Sequence, residues 1–314
     1  THNPPSLWLT RALLRKQLNL APDGLHLLAE PGPILAFGML TKAQAKGHIA
    51  LTLHGSEIER WKSNPFSKIL AKRAIQHATT IQAVSTPVLN ALIQHFPEAA
   101  SKAQVNHSAL PQFFSEASIG FTREANEPRN QPLHLLSVGR IHPRKGYGDL
   151  IQAIAQLQKD GRGAYRLTIA GASQKSSYLA QLQRLAQTLG VPVNWVLDPS
   201  NQDLADCYRA ADAFALTSLQ SKNSIEGYGL VFLEAGAFAL PCLAYASGGM
   251  VDAIKHEQTG YLIPLGDIDH LAERIRFLHD TPTVRIQMGC NNQAFAQSRT
   301  WEGVVTKTLD HAQL

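Results

Sequence analysis

The stretch His134-Leu135-Leu136-Ser137-Val138-Gly139-Arg140-Ile141-His142-Pro143-Arg144-Lys145-Gly146 sets the terms for the whole chain. Its first five residues read as a buried β-strand, a short apolar run broken off by a glycine. Two cations, Arg140 and Lys145, follow in the loop. An amphipathic segment then runs from Asp149 to Lys159, with apolar Leu150, Ile151, Ile154 and Leu157 at helical spacing. Strand, cationic loop and helix together make the first half of a βαβ unit.

Working downstream, the alternation repeats. Arg166–Ala170 reads as a strand, Tyr178–Leu189 as a helix stopped by Gly190, and Val193–Leu197 as a strand. Leu204–Ala211 is a short helix and Ala213–Leu216 a strand. Val231–Phe238 is a helix, Pro241–Tyr245 a strand, Gly260–Ile263 a shorter one, and Leu271–His279 a helix. Strands alternating strictly with helices predict a parallel, doubly wound α/β sheet, which binds ligands beyond the carboxyl ends of its strands. Gln287–Ser298 and Trp301–Leu314 read as closing helices.

Upstream, the pattern is sparser. Leu7–Leu18 and Ile34–Lys46 read as helices, Leu25–Leu28 and His48–Leu53 as strands, Pro65–His77 as a basic amphipathic helix, Thr80–Val84 as a strand and Pro87–His95 as a helix. A polar, proline-containing linker, Ser115–Pro132, separates the halves. The expected organisation is an N-terminal domain over 1–130, a C-terminal ligand-binding domain over 131–298, and a last helix over 299–314 that crosses back to the first domain. The chain starts without Met and reads as a fragment or a trimmed chain.

The bulk numbers fit a globular enzyme. Of 314 residues, 44% are hydrophobic and 17% charged, too apolar for a disordered chain. No run approaches the roughly 18 apolar residues of a membrane span. Three scattered cysteines have no metal-ligand spacing and form no disulfide framework, which points to a reducing, cytoplasmic setting. The net charge of +5 resides in the first half: residues 1–130 carry 13 Lys and Arg against 8 Asp and Glu, and residues 131–314 carry 16 of each. Lys68, Lys72 and Arg73 share one predicted helix with Phe66, Ile69, Leu70 and Ile75. That helix either lies on the inner face of an anionic membrane or packs its apolar stripe on its own sheet. Nothing marks a nucleic-acid-binding module.

Three segments carry chemistry. In the first, Gly139 turns the chain and Arg140 and Lys145 offer a fork and a point charge suited to a diphosphate. In the second, Glu226-Gly227-Tyr228-Gly229-Leu230-Val231-Phe232-Leu233-Glu234-Ala235, glycines precede a helix start whose N–H groups suit phosphate oxygens, and two carboxylates suit vicinal hydroxyls. The third, Ala246-Ser247-Gly248-Gly249-Met250-Val251-Asp252, follows the fifth strand as a tight turn or a close approach to a ligand.

The spacing Glu-x7-Glu, after the upstream Gly-Arg-x4-Lys-Gly and with Pro241 and Gly248-Gly249 behind it, resembles the large retaining glycosyltransferase family often called family 4. The resemblance runs over about residues 134–265. It implies a GT-B fold, two Rossmann-like domains facing across a cleft, and transfer of a sugar from a nucleoside diphosphate donor to a glycan, lipid or small-molecule acceptor with retention. UDP is the expected base-bearing carrier and GDP the alternative, with no cofactor and no metal. It assigns Arg140 and Lys145 to the diphosphate, Glu226 to the hydroxyls of the transferred sugar and Glu234 to the ribose. Gly139 and the backbone from Gly227 through Tyr228 and Gly229 to Leu230 lie against the donor. Leu197–Asp203 corresponds to the stretch that meets the base, and Asp252 stands where the family often has Glu. In the first half, Leu51-Thr52-Leu53-His54-Gly55-Ser56-Glu57 also resembles the family, which brings His54 near the transferred sugar and Ser85 to the same border. The resemblance further implies an opening strand, glycine-rich loop and helix that this sequence does not show, so either residues are missing or the N-terminal domain is naturally reduced.

Two other functions use similar parts. A dehydrogenase needs Gly-x-Gly-x-x-Gly, and Gly146-Tyr147-Gly148, Gly161-Arg162-Gly163 and Gly227-Tyr228-Gly229 each lack the third glycine. A non-catalytic sugar-nucleotide-binding subunit or regulator is the alternative that the reduced first half raises.

Overall fold

The computed structural model describes residues 4–123, 132–161, 164–173, 176–220 and 225–314. The middle of the expected linker, 124–131, lies outside them. The chain forms two compact units, one of residues 4–108, 225–228 and 301–314, the other of residues 109–220 and 229–300.

The first unit begins with α1 (Pro4–Leu20), β1 (Leu25–Leu28), α2 (Pro31–Phe37), β2 (His48–Leu53), α3 (Ser56–Ser63), α4 (Pro65–His77), β3 (Thr80–Ala83), α5 (Thr86–His95) and β4 (Ala103–Val105). The strands pair in the order β1-β2-β3-β4, all parallel. The helix expected over Ile34–Lys46 stops at Phe37. A side chain at Gly38 would overlap the Leu70 carbonyl of α4, so the two backbones touch there, and a 3-10 turn at Lys42–Gln44 carries the chain on. In this unit two elements escaped the sequence reading, as did the short helices Gln112–Ala117 and Met250–Ala253 of the other unit, the first of which runs into the expected linker. The helix α3 has few apolar residues, and β4 is only three half-buried residues long.

The second unit holds α6 (Gln112–Ala117), β5 (Leu133–Val138), α7 (Tyr147–Lys159), β6 (Tyr165–Gly171), α8 (Ser176–Leu189), β7 (Val193–Leu197) and α9 (Asn201–Ala210). It continues with β8 (Ala213–Leu216), α10 (Leu230–Ala237), β9 (Cys242–Tyr245), α11 (Met250–Ala253), β10 (Gly260–Ile263), α12 (Ile268–Asp280) and α13 (Pro282–Gln297). Six parallel strands run in the order β10-β9-β8-β5-β6-β7. Strands β8 and β9 are buried at every residue, as a parallel sheet covered on both faces requires, whereas edge strand β7 is half exposed. The predicted stripe of α7, Leu150, Ile151, Ile154 and Leu157, is wholly inside. Around β8, Tyr208 stacks on Phe238 at 5.7 Å and Phe232 meets Phe214 edge-on at 5.4 Å.

The last helix, α14 (Trp301–Ala312), belongs to the first unit and packs over β2 and β3. Asn106 anchors it, donating to the Val304 carbonyl at 3.1 Å and to Thr308 Oγ1 at 3.2 Å.

Candidate functional site

In the second unit the chain winds outward from β5 through β6 to β7, then returns to the other side of β5 as β8. Strand order therefore reverses between β5 and β8, and a crevice opens at such a point beyond the carboxyl ends of the strands. The cationic loop leaves β5 there, and the loop that leads to the Gly229 turn leaves β8 beside it.

These two loops are locked together. Thr217 Oγ1 donates to the Gly146 carbonyl at 2.8 Å, and the Leu219 N–H donates to the Arg144 carbonyl at 2.7 Å. Gly146 turns the chain into α7 at φ +67, and any Cβ on it would overlap the Thr217 carbonyl. The position demands glycine twice over, for its backbone angle and for its space. From the other side, the Tyr147 hydroxyl donates to the Gly139 carbonyl at 2.8 Å. A 3-10 turn at Pro143–Lys145, started by His142 Nδ1 accepting from the Arg144 N–H, presents the cations. Arg140 is exposed, and Lys145 is buried with its aliphatic stem along Gly139.

Gly229 starts α10 in the left-handed region, at φ +83. First-turn N–H groups of a helix have no partner in the helix and carry its positive end. Leu230, the first helical residue, is exposed, consistent with a helix start that faces solvent or ligand. Glu234, just over one turn along, is not a surface charge: only 8% of it is exposed. The Tyr208 hydroxyl donates to its Oε2 at 2.8 Å. Burial raises the Glu234 carboxyl to about 7, and the Tyr208 bond opposes that rise. Burial likewise raises the Tyr208 phenol well above its usual range, with the neighbouring Glu234 adding to it. The loop after β9 carries Gly248 in the left-handed region and the half-buried Asp252 in α11. Leu197, at the end of β7, is exposed, and Ser200 caps α9.

The remaining candidates stand in the first unit. His54 is exposed at the end of β2, its N–H donating to the buried Glu57 carboxylate of α3. The segment 225–228, which holds Glu226, Gly227 and Tyr228, is stitched to the same strand ends. Ser85 Oγ donates to the Gly227 carbonyl at 2.7 Å while it also caps α5. A Cβ on Gly227 would stand 2.5 Å from the His54 carbonyl, and the Tyr228 ring lies 5.2 Å from that of His107. His54 thus shares a strand edge with Glu226, Gly227 and Tyr228 in one unit. Gly139, Arg140, Lys145, Gly229, Leu230 and Glu234 belong to the other, and the chain passes between units at Tyr228–Gly229.

Sequence reasoning missed Tyr208, Thr217 and Tyr147, and it quoted Glu57 beside His54 without giving it a role. Of the three missed, only Tyr147 had a local cue, as an aromatic two residues beyond the cationic pair. The partners of Tyr208 and Thr217 lie 26 and 71 residues away.

Comparison with known proteins fits this geometry. A "D-inositol 3-phosphate glycosyltransferase" of Corynebacterium efficiens is 28% identical over 248 residues, spanning 76% of this chain and 57% of that protein. A "GDP-mannose-dependent alpha-(1-6)-phosphatidylinositol monomannoside mannosyltransferase" of Mycobacterium tuberculosis is 23% identical over 285 residues, 88% of this chain and 72% of its own. The crystal structure of Anabaena Alr3699/HepE in complex with UDP shares the fold, with a TM-score of 0.75 at 21% identity over 96% of this chain and 81% of that one. The expected GT-B class therefore holds. A family model described as "Glycosyl transferases group 1" matches residues 118–295, more than half of the chain, and the protein belongs to that family of glycosyltransferases.

Proposed function

We propose that this protein transfers a hexosyl group from a nucleoside diphosphate sugar to an acceptor hydroxyl, with retention at the anomeric carbon. One observation carries the reading: two cations, a helix start and a buried carboxylate lie on neighbouring loops and helices at the strand-order reversal of one parallel sheet. Arg140 and Lys145 hold the diphosphate, together with the N–H groups that open α10. Glu234 accepts from the ribose hydroxyls, and Glu226 from hydroxyls of the transferred sugar. His54 hydrogen-bonds a sugar hydroxyl on the acceptor side.

The bond from the anomeric carbon to the diphosphate oxygen breaks through an oxocarbenium-like state, and negative charge grows on the leaving diphosphate. Fixed cations and helix amides stabilise that charge without having to reorganise. The acceptor oxygen attacks from the face the leaving group departs, and a diphosphate oxygen takes its proton. No catalytic metal has a part in this scheme. UDP is the carrier we favour, with support from the UDP complex of the Anabaena neighbour; the GDP-mannose dependence named for the mycobacterial relative makes GDP the alternative.

Contact with a membrane surface accompanies this reading. Helix α4 buries Leu70, Ala71, Ala74 and Ile75, yet leaves Phe66 and Ile69 exposed beside Lys68 and Lys72. An apolar pair flanked by cations suits an anionic bilayer. No helix among the described residues is long and apolar enough to cross one.

A thermal-shift panel of UDP, GDP and ADP, followed by a donor-turnover assay, tests the proposal. One diphosphate is expected to raise Tm selectively. Arg140→Ala and Lys145→Ala are each expected to lower kcat/KM by about a hundredfold. Undiminished transfer in the double variant would remove their assigned role. Nucleotide binding with neither hydrolysis nor transfer would leave a sugar-nucleotide-binding subunit.

A further inference from the structure

The two faces of the first unit's sheet are not covered alike. On one, Ile49, Leu51, Leu53, Ile81 and Ala83 are fully buried. The opposite face presents Leu25, Leu27, Thr52 and Gln82, and α14 packs on it over β2 and β3. Toward β1 the cover ends: Leu27 is 56% exposed, and Val305 and Trp301 of α14 are exposed to a similar extent. A parallel sheet normally buries both faces.

The uncovered part is a chamber of about 380 Å³ between α14 and the sheet. Leu25, Leu27, Val84, Val304, Val305 and Leu309 make up its apolar wall, and among the described residues no Lys, Arg, Asp or Glu lines it. Seven of its fifteen lining residues are polar, but the surface that the lining turns to the chamber is mostly apolar. The Asn106 amide is already spent on α14 and on Gln82 Oε1. Gln82 is 2% exposed, and its Nε2 has no hydrogen-bond partner, so a buried donor is left in the lining of an apolar space. Such a donor is costly unless a ligand oxygen meets it. His54, His107 and Ser108 stand where the chamber reaches the carboxyl ends of the strands.

Among the described residues a phosphate finds no Lys or Arg here, and a free sugar finds a surface that is mostly apolar. An uncharged hydrocarbon chain finds a wall of its own polarity and one donor for an ester or hydroxyl oxygen. We infer that this chamber binds a single hydrocarbon chain of an amphiphile, with its head group at the His54 and His107 end. That the amphiphile is the acceptor rests on the proposed transfer reaction; that the chain binds does not.

The test is titration calorimetry on the whole protein with uncharged 1-monoacylglycerols, from octanoyl to hexadecanoyl, each below its micelle concentration. Affinity is expected to rise about fourfold per methylene and to level off once the chamber is full. Leu27→Asp and Val305→Asp put a carboxylate in the wall at positions exposed enough to leave the fold intact, which an unchanged Tm and circular dichroism spectrum verify. Each is expected to weaken binding at least tenfold. Affinity that ignores chain length, or survives both variants, overturns the inference. So does a wild-type dimer that these variants dissociate and monoacylglycerol does not, because a second copy would then cover the face. Binding of the chain without transfer would leave this inference standing and count against the proposed reaction alone.

Discussion

Glu234 is a carboxyl under tension between burial and function. Folded, it keeps its proton up to about pH 7, whereas the unfolded chain releases it near the ordinary value of 4.5. Between those values the folded state binds more protons, so stability is greatest below about 4.5 and falls as pH rises toward 7. Glu234→Gln removes that slope while an amide oxygen still accepts from Tyr208. The variant is expected to match the parent near pH 4.5 and to exceed it at pH 8 by up to about 3 kcal/mol in urea unfolding. A ribose diol donates to the ionised form. Nucleotide affinity is therefore expected to climb about tenfold per pH unit below 7 and to level above it, and calorimetry across pH 5.5 to 8 would read this. In Glu234→Gln the climb disappears along with most of the affinity. The sequence presented this residue as one of two carboxylates in a signature. Its buried partner is Tyr208, on another helix and with no spacing pattern to announce it.

The loops after β5 and β8 act as one element. Gly146 touches the Thr217 carbonyl, and the Thr217 hydroxyl closes on the Gly146 carbonyl. Gly146→Ala would add both left-handed strain and overlap with backbone that has no rotamer to escape into. We expect a loss of about 3 kcal/mol in chemical denaturation and roughly a hundredfold drop in kcat/KM, because the cationic loop must move. Thr217→Val keeps the volume and deletes the bond. It is expected to weaken donor binding several-fold at little cost in Tm, as calorimetry and thermal unfolding would show. Apolar periodicity located nearly every strand and helix that frames these loops. Elsewhere it failed at α3, β4, α6 and α11, which are too short or too poor in apolar residues to show a period of their own.

At the scale of the molecule, α14 is the chain's return to its first unit. Removing residues 301–314 strips Gln82 and Asn106 of cover and uncaps the sheet. Hydrogen exchange is expected to show the first unit losing protection while the second keeps it. Nucleotide-dependent stabilisation, a property of the second unit in our proposal, is expected to survive in a thermal-shift assay, whereas transfer is lost.

Taken alone, the amino-acid sequence determined the α/β class, the parallel sheet of the second unit and the family. Each of those is written in short-range patterns: apolar runs, helical spacing, and a string of glycines, cations and carboxylates within a few residues of one another. Tertiary structure alone decided which carboxylate is buried, which loops are bolted together, and where the apolar chamber lies. Those properties depend on side chains brought together from dozens to hundreds of residues apart, such as Asn106 on Thr308, and no local pattern encodes such a meeting.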